Sequence, residues 1–133
     1  MPKILIDTSI IIDYLRQKDK SNTLLFYFGH NRYQLYASII THAESYAGKS
    51  IWERKEAMDV LEKLLSNIKF LPLEQKISKK AGQISAKNNN LEIVDAIITS
   101  TAIFHKLELA TLNTKDFEKI KQIKIFSIPQ ESK

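Results

Sequence analysis

Lys3-Ile4-Leu5-Ile6-Asp7-Thr8-Ser9 is the stretch on which the fold turns, because a short apolar run ends abruptly in a carboxylate. The same arrangement recurs three times. Gln34 to Ile39 leads into Thr41-His42-Ala43-Glu44, Ile68 to Leu71 is followed by Glu74, and Leu107 to Leu112 leads into Asn113-Thr114-Lys115-Asp116. Each run has the length and composition of a buried strand. Between them lie stretches of helical periodicity. Ile10 to Leu15 follows the first strand, and Ser21-Asn22 is placed to cap a helix through Leu24, Leu25, Phe26 and Phe28. Ile51, Met58, Leu61, Leu64 and Leu65 share one helical face, as do Ile77, Ala81 and Ile84 in a segment that Asn88-Asn89-Asn90 should end. Ala96 to Leu107, opened by Asp95, is apolar more broadly and should pack deep against the sheet. Lys124 to Ile128 reads as a final edge strand. Strand and helix alternate throughout, which indicates one α/β domain over residues 1–133 with a mainly parallel central sheet flanked by helices.

A parallel sheet gathers the residues just past its strands at one edge, where open α/β sheets place their ligands. Asp7, Glu44 and Asp116 would meet there, with Asp95 at the start of the long apolar helix. Each acid also has an ordinary structural reading. Asp7 can cap the first helix, Thr41-x-x-Glu44 fits a capping box, Asn113-x-x-Asp116 can cap a short helix, and Asp95 sits well near a helix N-terminus. Two observations favour a cluster. Asp7 abuts a strand of Ile and Leu, and Asp95 is set between Val94 and Ala96, with no Lys or Arg close in sequence to either. Acids in apolar surroundings need a partner or a metal ion. Glu74, ahead of a Lys-rich amphipathic helix, reads as structural. Thr8 and Ser9 either orient the Asp7 carboxylate or cap the helix that follows.

Composition removes many alternatives. With no cysteine, disulfides, thiolate zinc sites and cysteine nucleophiles are excluded. His30, His42 and His105 have no partners at ligand spacing, which argues against a histidine zinc site. No glycine-rich phosphate loop or dinucleotide fingerprint is present. Ser9 stands where an aspartyl-phosphate phosphatase would carry a second Asp, and the lone Asp7 does not suit a phosphorelay receiver. Hydrophobic residues at 44% and charged residues at 26% describe an ordinary globular chain. No run reaches transmembrane length and the N-terminus opens a strand, so no membrane association and a cytoplasmic location are expected. Twenty Lys and Arg against fifteen Asp and Glu give +5, a moderate bias toward a polyanionic partner. Trp52 and the Tyr and Phe residues at helical spacing are expected in the core or a dimer interface.

Oxygen-only ligands select Mg²⁺ or Mn²⁺. An ion so held lowers the pKa of a bound water, which can attack a phosphodiester in line while the leaving oxygen is stabilised. Lys79, Lys80, Lys87, Lys115, Lys119 and Lys121 are candidates for phosphate contacts around such a site.

Ile4-Leu5-Ile6-Asp7-Thr8-Ser9, Thr41-His42-Ala43-Glu44 with Gly48, Val94-Asp95-Ala96-Ile97-Ile98 with Thr101-Ala102, and Thr111-Leu112-Asn113-Thr114-Lys115-Asp116-Phe117 resemble the successive motifs of PIN domains. Within that family they are most similar to the VapC-type ribonuclease toxins. The resemblance implies a PIN-like fold and a Mg²⁺- or Mn²⁺-dependent endoribonuclease acting on structured RNA such as tRNA or rRNA. It also implies a homodimer and a cognate antitoxin that inserts a segment into the active site. Asp7, Glu44 and Asp95 match the family's core acidic ligands. Asp116 is taken as the fourth carboxylate with Asn113 as its polar neighbour, although some members carry the acid at the position of Asn113. Leu112 and Tyr46 depart from the family pattern without removing a ligand. Two other functions stay open at this point: a PIN-fold module that binds nucleic acid or a partner without cutting, and a general RNA-processing nuclease.

Overall fold

The structure, a computed structural model, describes residues 1–89 and 91–128. Its centre is a four-stranded sheet of β1 (Lys3–Ile6), β2 (Gln34–Ser38), β3 (Ile68–Leu71) and β4 (Glu108–Ala110), in the order β3-β2-β1-β4. Every neighbouring pair is parallel. The β1–β2 connection contains α1 (Thr8–Arg16) and α2 (Leu24–His30). Between β2 and β3 lie α3 (Ile39–Ser45), α4 (Lys49–Glu53) and α5 (Lys55–Leu65). The return to β4 uses α6 (Gln75–Lys87) and α7 (Ile93–His105), and α8 (Thr114–Phe117) follows β4.

From Ile4 to Ile6, β1 is a continuous apolar run because both of its faces are covered, while Lys69 of β3 and Glu108 of β4 mark the outer strands. Ile4 and Ile6 point to one side and Leu5 to the other, as the two-residue strand period requires, and all three are fully buried. Ile4, Ile6, Ala37 and Ile68 pack with Ile10, Ile11, Leu25, Phe28, Leu61 and Leu65 from α1, α2 and α5. On the opposite face Leu5, Tyr36, Leu71 and Leu109 meet Ala81, Ile84, Ala96, Ile98 and Ala102 from α6 and α7, with Phe117. Full burial of one such aliphatic side chain is worth roughly 1.5–3 kcal/mol, so the β1 triplet is a large part of what holds the three layers together. No helix among the described residues is long and apolar enough to cross a membrane.

Several local expectations are corrected. Thr23, not Ser21 or Asn22, caps α2, its hydroxyl accepting from Phe26 N–H at 3.2 Å. Ser21 and Asn22 instead belong to a 3-10 turn capped by Asp19. The apolar spacing from Ile51 to Leu65 spans two helices, because Arg54 is extended (φ −125°, ψ 119°) and breaks α4 from α5. Asn88 ends α6 without entering the left-handed region, its amide donating to the Ile84 carbonyl at 2.8 Å, and Asn90 lies outside the described residues. The segment from Lys124 makes only a parallel bridge between Ile125 and Leu109 in place of a full edge strand. Trp52 is not core: it is 69% exposed, with its indole N–H on the Tyr46 carbonyl.

Strand order decides which edge of the sheet can hold a ligand. From β1 the chain steps outward to β2 and β3, then returns to the other side of β1 with β4, so connections diverge at the β1–β4 seam. That seam is the topological switch point, and its carboxyl end is the crevice in which doubly wound sheets bind ligands.

Candidate active site

Asp7 is the first residue past β1. Ile6 pairs with Ala110 and Asp7 N–H donates to the Ala110 carbonyl at 3.1 Å, so Asp7 and Thr111 stand side by side at the switch point. Asp7 is 3% exposed, yet its carboxylate is well supplied with donors. Ser9 gives Oδ1 both its backbone N–H, at 3.0 Å, and its hydroxyl, while the Thr111 hydroxyl donates to Oδ2. The two hydroxyls also accept from the loop after β4, Ser9 Oγ from Leu112 N–H and Thr111 Oγ1 from Asn113 N–H, each at 3.0 Å. Asp7 therefore caps α1 and at the same time organises the hydrogen bonds of the crevice. Burial pushes its pKa up from the usual carboxylate value, the hydrogen bonds from Ser9 and Thr111 pull it down, and burial prevails.

Glu44 reaches the same edge from α3. That helix begins directly after β2, with Ser38 as its cap accepting from Ile40 N–H at 3.2 Å. Thr41 is consequently inside the helix and buried, and the expected capping box of Thr41 and Glu44 does not form. Glu44 is left exposed and takes a hydrogen bond from the Thr8 hydroxyl at 2.6 Å. The hydroxyls of α1 divide their work: Ser9 supports Asp7, Thr8 supports Glu44.

Asp95 lies in the first turn of α7, partly buried. Its pKa is pushed up to about 6, first by desolvation and then by the charges of Asp116, Asp7, Glu92 and Glu44. The other three proposed acids thus all lie near enough for their charges to act on Asp95. Asp116 is exposed in the first turn of α8, where Asn113 holds the cap position without a side-chain capping bond. Glu74, at the cap position of α6, is not among the charges acting on Asp95. The one salt bridge among the described residues joins Lys124 to Glu108 at 3.0 Å, so none of the clustered acids is neutralised by it.

The donor set is anionic and all oxygen, which fits a hard divalent ion such as Mg²⁺ or Mn²⁺. Among the described residues, no three His, Asp or Glu side chains are already drawn together as a finished ligand shell. Glu44 is instead engaged by the Thr8 hydroxyl. His42 packs its ring against Tyr46 and Phe70.

Two participants escaped the sequence. Thr111 reads as the polar end of a strand, and only the β1–β4 pairing reveals that it faces Asp7. Glu92 occupies the cap position of α7 and resembles any acid at a helix start, yet it adds to the charge on Asp95. The rise of apolar character after Leu91 was the available signal for the second.

Comparison with known proteins agrees with this fold. The family model described as PIN domain matches residues 4–123. Ribonuclease VapC10 of Mycobacterium tuberculosis is 28% identical over 131 residues, covering 95% of each chain. Ribonuclease VapC1 of Methanocaldococcus jannaschii is 30% identical over 122 residues, covering 90% of this chain and 82% of the relative. Among solved structures, a toxin–antitoxin complex from Klebsiella pneumoniae superposes with a TM-score of 0.70 at 28% identity, covering 90% of this chain and 94% of the other.

Proposed function

The chain belongs to the PIN domain family, among its VapC-type ribonucleases, and on that premise we propose that it is a divalent-metal-dependent endoribonuclease, the toxin of a toxin–antitoxin pair. The observation that carries the reading is the placement of a buried Asp7 at the switch point of a parallel sheet, with Glu44 held beside it by Thr8 and Asp95 near enough to feel their charges and those of Asp116 and Glu92. Such an edge is suited to a cation and poorly suited to anything else. Asp7, Glu44, Asp95 and Asp116 would hold Mg²⁺ or Mn²⁺, with Asn113 as a polar neighbour.

When bound, the ion supplies Lewis acidity, making a water nucleophilic near neutral pH and drawing charge off the phosphate. The protein's own groups do the rest. Ser9 and Thr111 hold the Asp7 carboxylate in one orientation and favour its charged form. Thr8 fixes the direction from which Glu44 approaches. The net reaction is hydrolysis: water adds to phosphorus, one ester oxygen leaves, and that oxygen takes up the proton released by the water. Structured RNA such as tRNA or rRNA is the proposed substrate class, in the cytoplasm, with the 1–133 PIN domain acting as a homodimer. The 28% identical neighbour solved as a toxin–antitoxin complex supports an antitoxin as the protein partner.

Incubating end-labelled RNA with the purified protein tests the proposal. Cleavage should require Mg²⁺ or Mn²⁺, stop on chelation, and vanish in Asp7→Asn and Asp95→Asn proteins that retain their circular dichroism. Undiminished cleavage by either variant would overturn the assigned roles.

A further inference from the structure

Asp116 stands on the rim of a second feature that the acidic cluster does not use. A pocket of about 310 Å³ is lined by Lys87, Asn88 and Leu91 from the end of α6 and beyond, and by Lys115, Lys119 and Ile120 from α8 and beyond. It continues into a smaller pocket of about 230 Å³ that shares Lys87, Asn88, Lys119 and Ile120 and adds Lys80 and Lys121. Two lysine-bearing segments that are remote in sequence therefore meet across one groove. None of its five lysines is in a salt bridge among the described residues. The floor is apolar, with Leu91 and Ile120 nearly buried, and amides line the rim.

We infer that this groove is the path by which a single strand of RNA reaches the acids, with phosphates on the lysines and one unstacked base on the Leu91–Ile120 floor. The inference rests on the ribonuclease reading and names where its substrate lies. An edge of carboxylates repels a polyanion at the distance of approach, and a concave basic surface directly beside Asp116 supplies the opposing attraction. A row of solvated lysines on a convex face would not need an apolar floor. This groove has one, together with amide groups able to meet a base edge: the Asn88 nitrogen is engaged with the Ile84 carbonyl, so its oxygen remains for a donor on the base.

Binding of a fluorescently labelled single-stranded oligoribonucleotide, followed by anisotropy across a salt series, tests the groove. An Asp95→Asn background prevents cleavage during the measurement. In that background Lys87→Ala with Lys119→Ala should weaken binding at least tenfold near physiological salt. The slope of log K against log salt should become shallower by about 1.4, at roughly 0.7 per lost phosphate contact on a single strand. Lys87→Arg with Lys119→Arg should restore both values. Lys3→Ala with Lys63→Ala removes the same charge from the start of β1 and the end of α5, at the opposite edge of the sheet, and should leave the slope unaltered. A groove variant indistinguishable from its parent, or from this control, would overturn the inference. That outcome would assign the lysines to an acidic protein segment. Cleavage of end-labelled tRNA and rRNA by the protein with Asp95 intact separates the two claims. A changed slope without any cleavage would sink the nuclease reading and leave an RNA-binding groove; cleavage with an unchanged slope would sink the groove alone.

Discussion

Replacing Asp95 by Asn should abolish cleavage and, in the same molecule, stabilise the metal-free fold. The folded-state pKa of Asp95 is about 6, above its ordinary value of 3.8. Between those values the folded chain holds a proton that the unfolded chain has released, so stability falls as pH rises through the interval. Above about pH 6 the whole penalty is present; below about pH 4 it is gone. Two units at 1.36 kcal/mol each set a ceiling of about 3 kcal/mol. Asp95 is only partly buried, and solvent screening reduces that ceiling by about half. Asn also forfeits a favourable negative charge in the first turn of α7, worth roughly 0.3–1 kcal/mol. The net gain is on the order of 1 kcal/mol. With an unfolding entropy of roughly 2.1 cal/mol/K per residue, a chain of this length should melt about 4 °C higher. Thermal unfolding followed by circular dichroism in chelator, from low to slightly alkaline pH, reads this directly. The two melting curves should coincide below about pH 4, separate as pH rises through the interval, and reach their full separation by about pH 6. Saturating Mg²⁺ should then reverse the order, because an ion at a hundred times its Kd stabilises the native protein by about 2.7 kcal/mol and the variant has lost a ligand. An Asn variant that melts at or below wild type in chelator at pH 8 would refute the repulsion argument, whatever its activity.

Thr111→Val keeps the volume of the side chain but strips one donor from the buried Asp7 carboxylate. The acid limb of the pH–rate profile should move upward, and stability should fall by about 1–3 kcal/mol; an unmoved limb would remove Thr111 from the site. Ion binding should itself depend on pH, since Asp95 must be ionised to act as a ligand. Calorimetric titration with Mn²⁺ should give an affinity at pH 5 about tenfold weaker than at pH 7.5, one unit below the raised pKa of Asp95, and equal affinities would contradict the assignment.

The parts of this fold that the sequence discloses are those governed by local pattern. Ile4 to Ile6 reads as a strand because burial on both faces leaves no room for a polar residue, and Ile68 to Leu71 because buried Ile68 and Leu71 bound it on either side of an exposed Lys69. Asp7 and Asp95 are legible as acids in apolar surroundings. Local pattern is silent where two structures satisfy it equally. Thr41-x-x-Glu44 has the spacing of a capping box whether or not a helix starts there, and only the direct passage of β2 into α3 decides against it. Nothing in the sequence near Arg54 announces the break between α4 and α5, since neither Gly nor Pro marks it. Strand order is non-local altogether, and with it goes the meeting of Thr111 with Asp7 across more than a hundred residues.

On the proposed function, Asp7 and Asp95 divide the work of one edge. Asp7 is the more deeply buried, yet the chain answers its charge with two hydroxyls and a backbone N–H, which lock it in place whether or not an ion is present. Asp95 receives no hydrogen bond to its carboxylate among the described residues, and its neighbours are acids. Compensation for Asp95 must therefore come from outside the chain. The ion should derive much of its affinity from relieving that one crowded carboxylate, while Asp7 contributes position. On this division, disturbing the donors of Asp7 should alter orientation and pH profile, whereas neutralising Asp95 should remove the ion and the instability together.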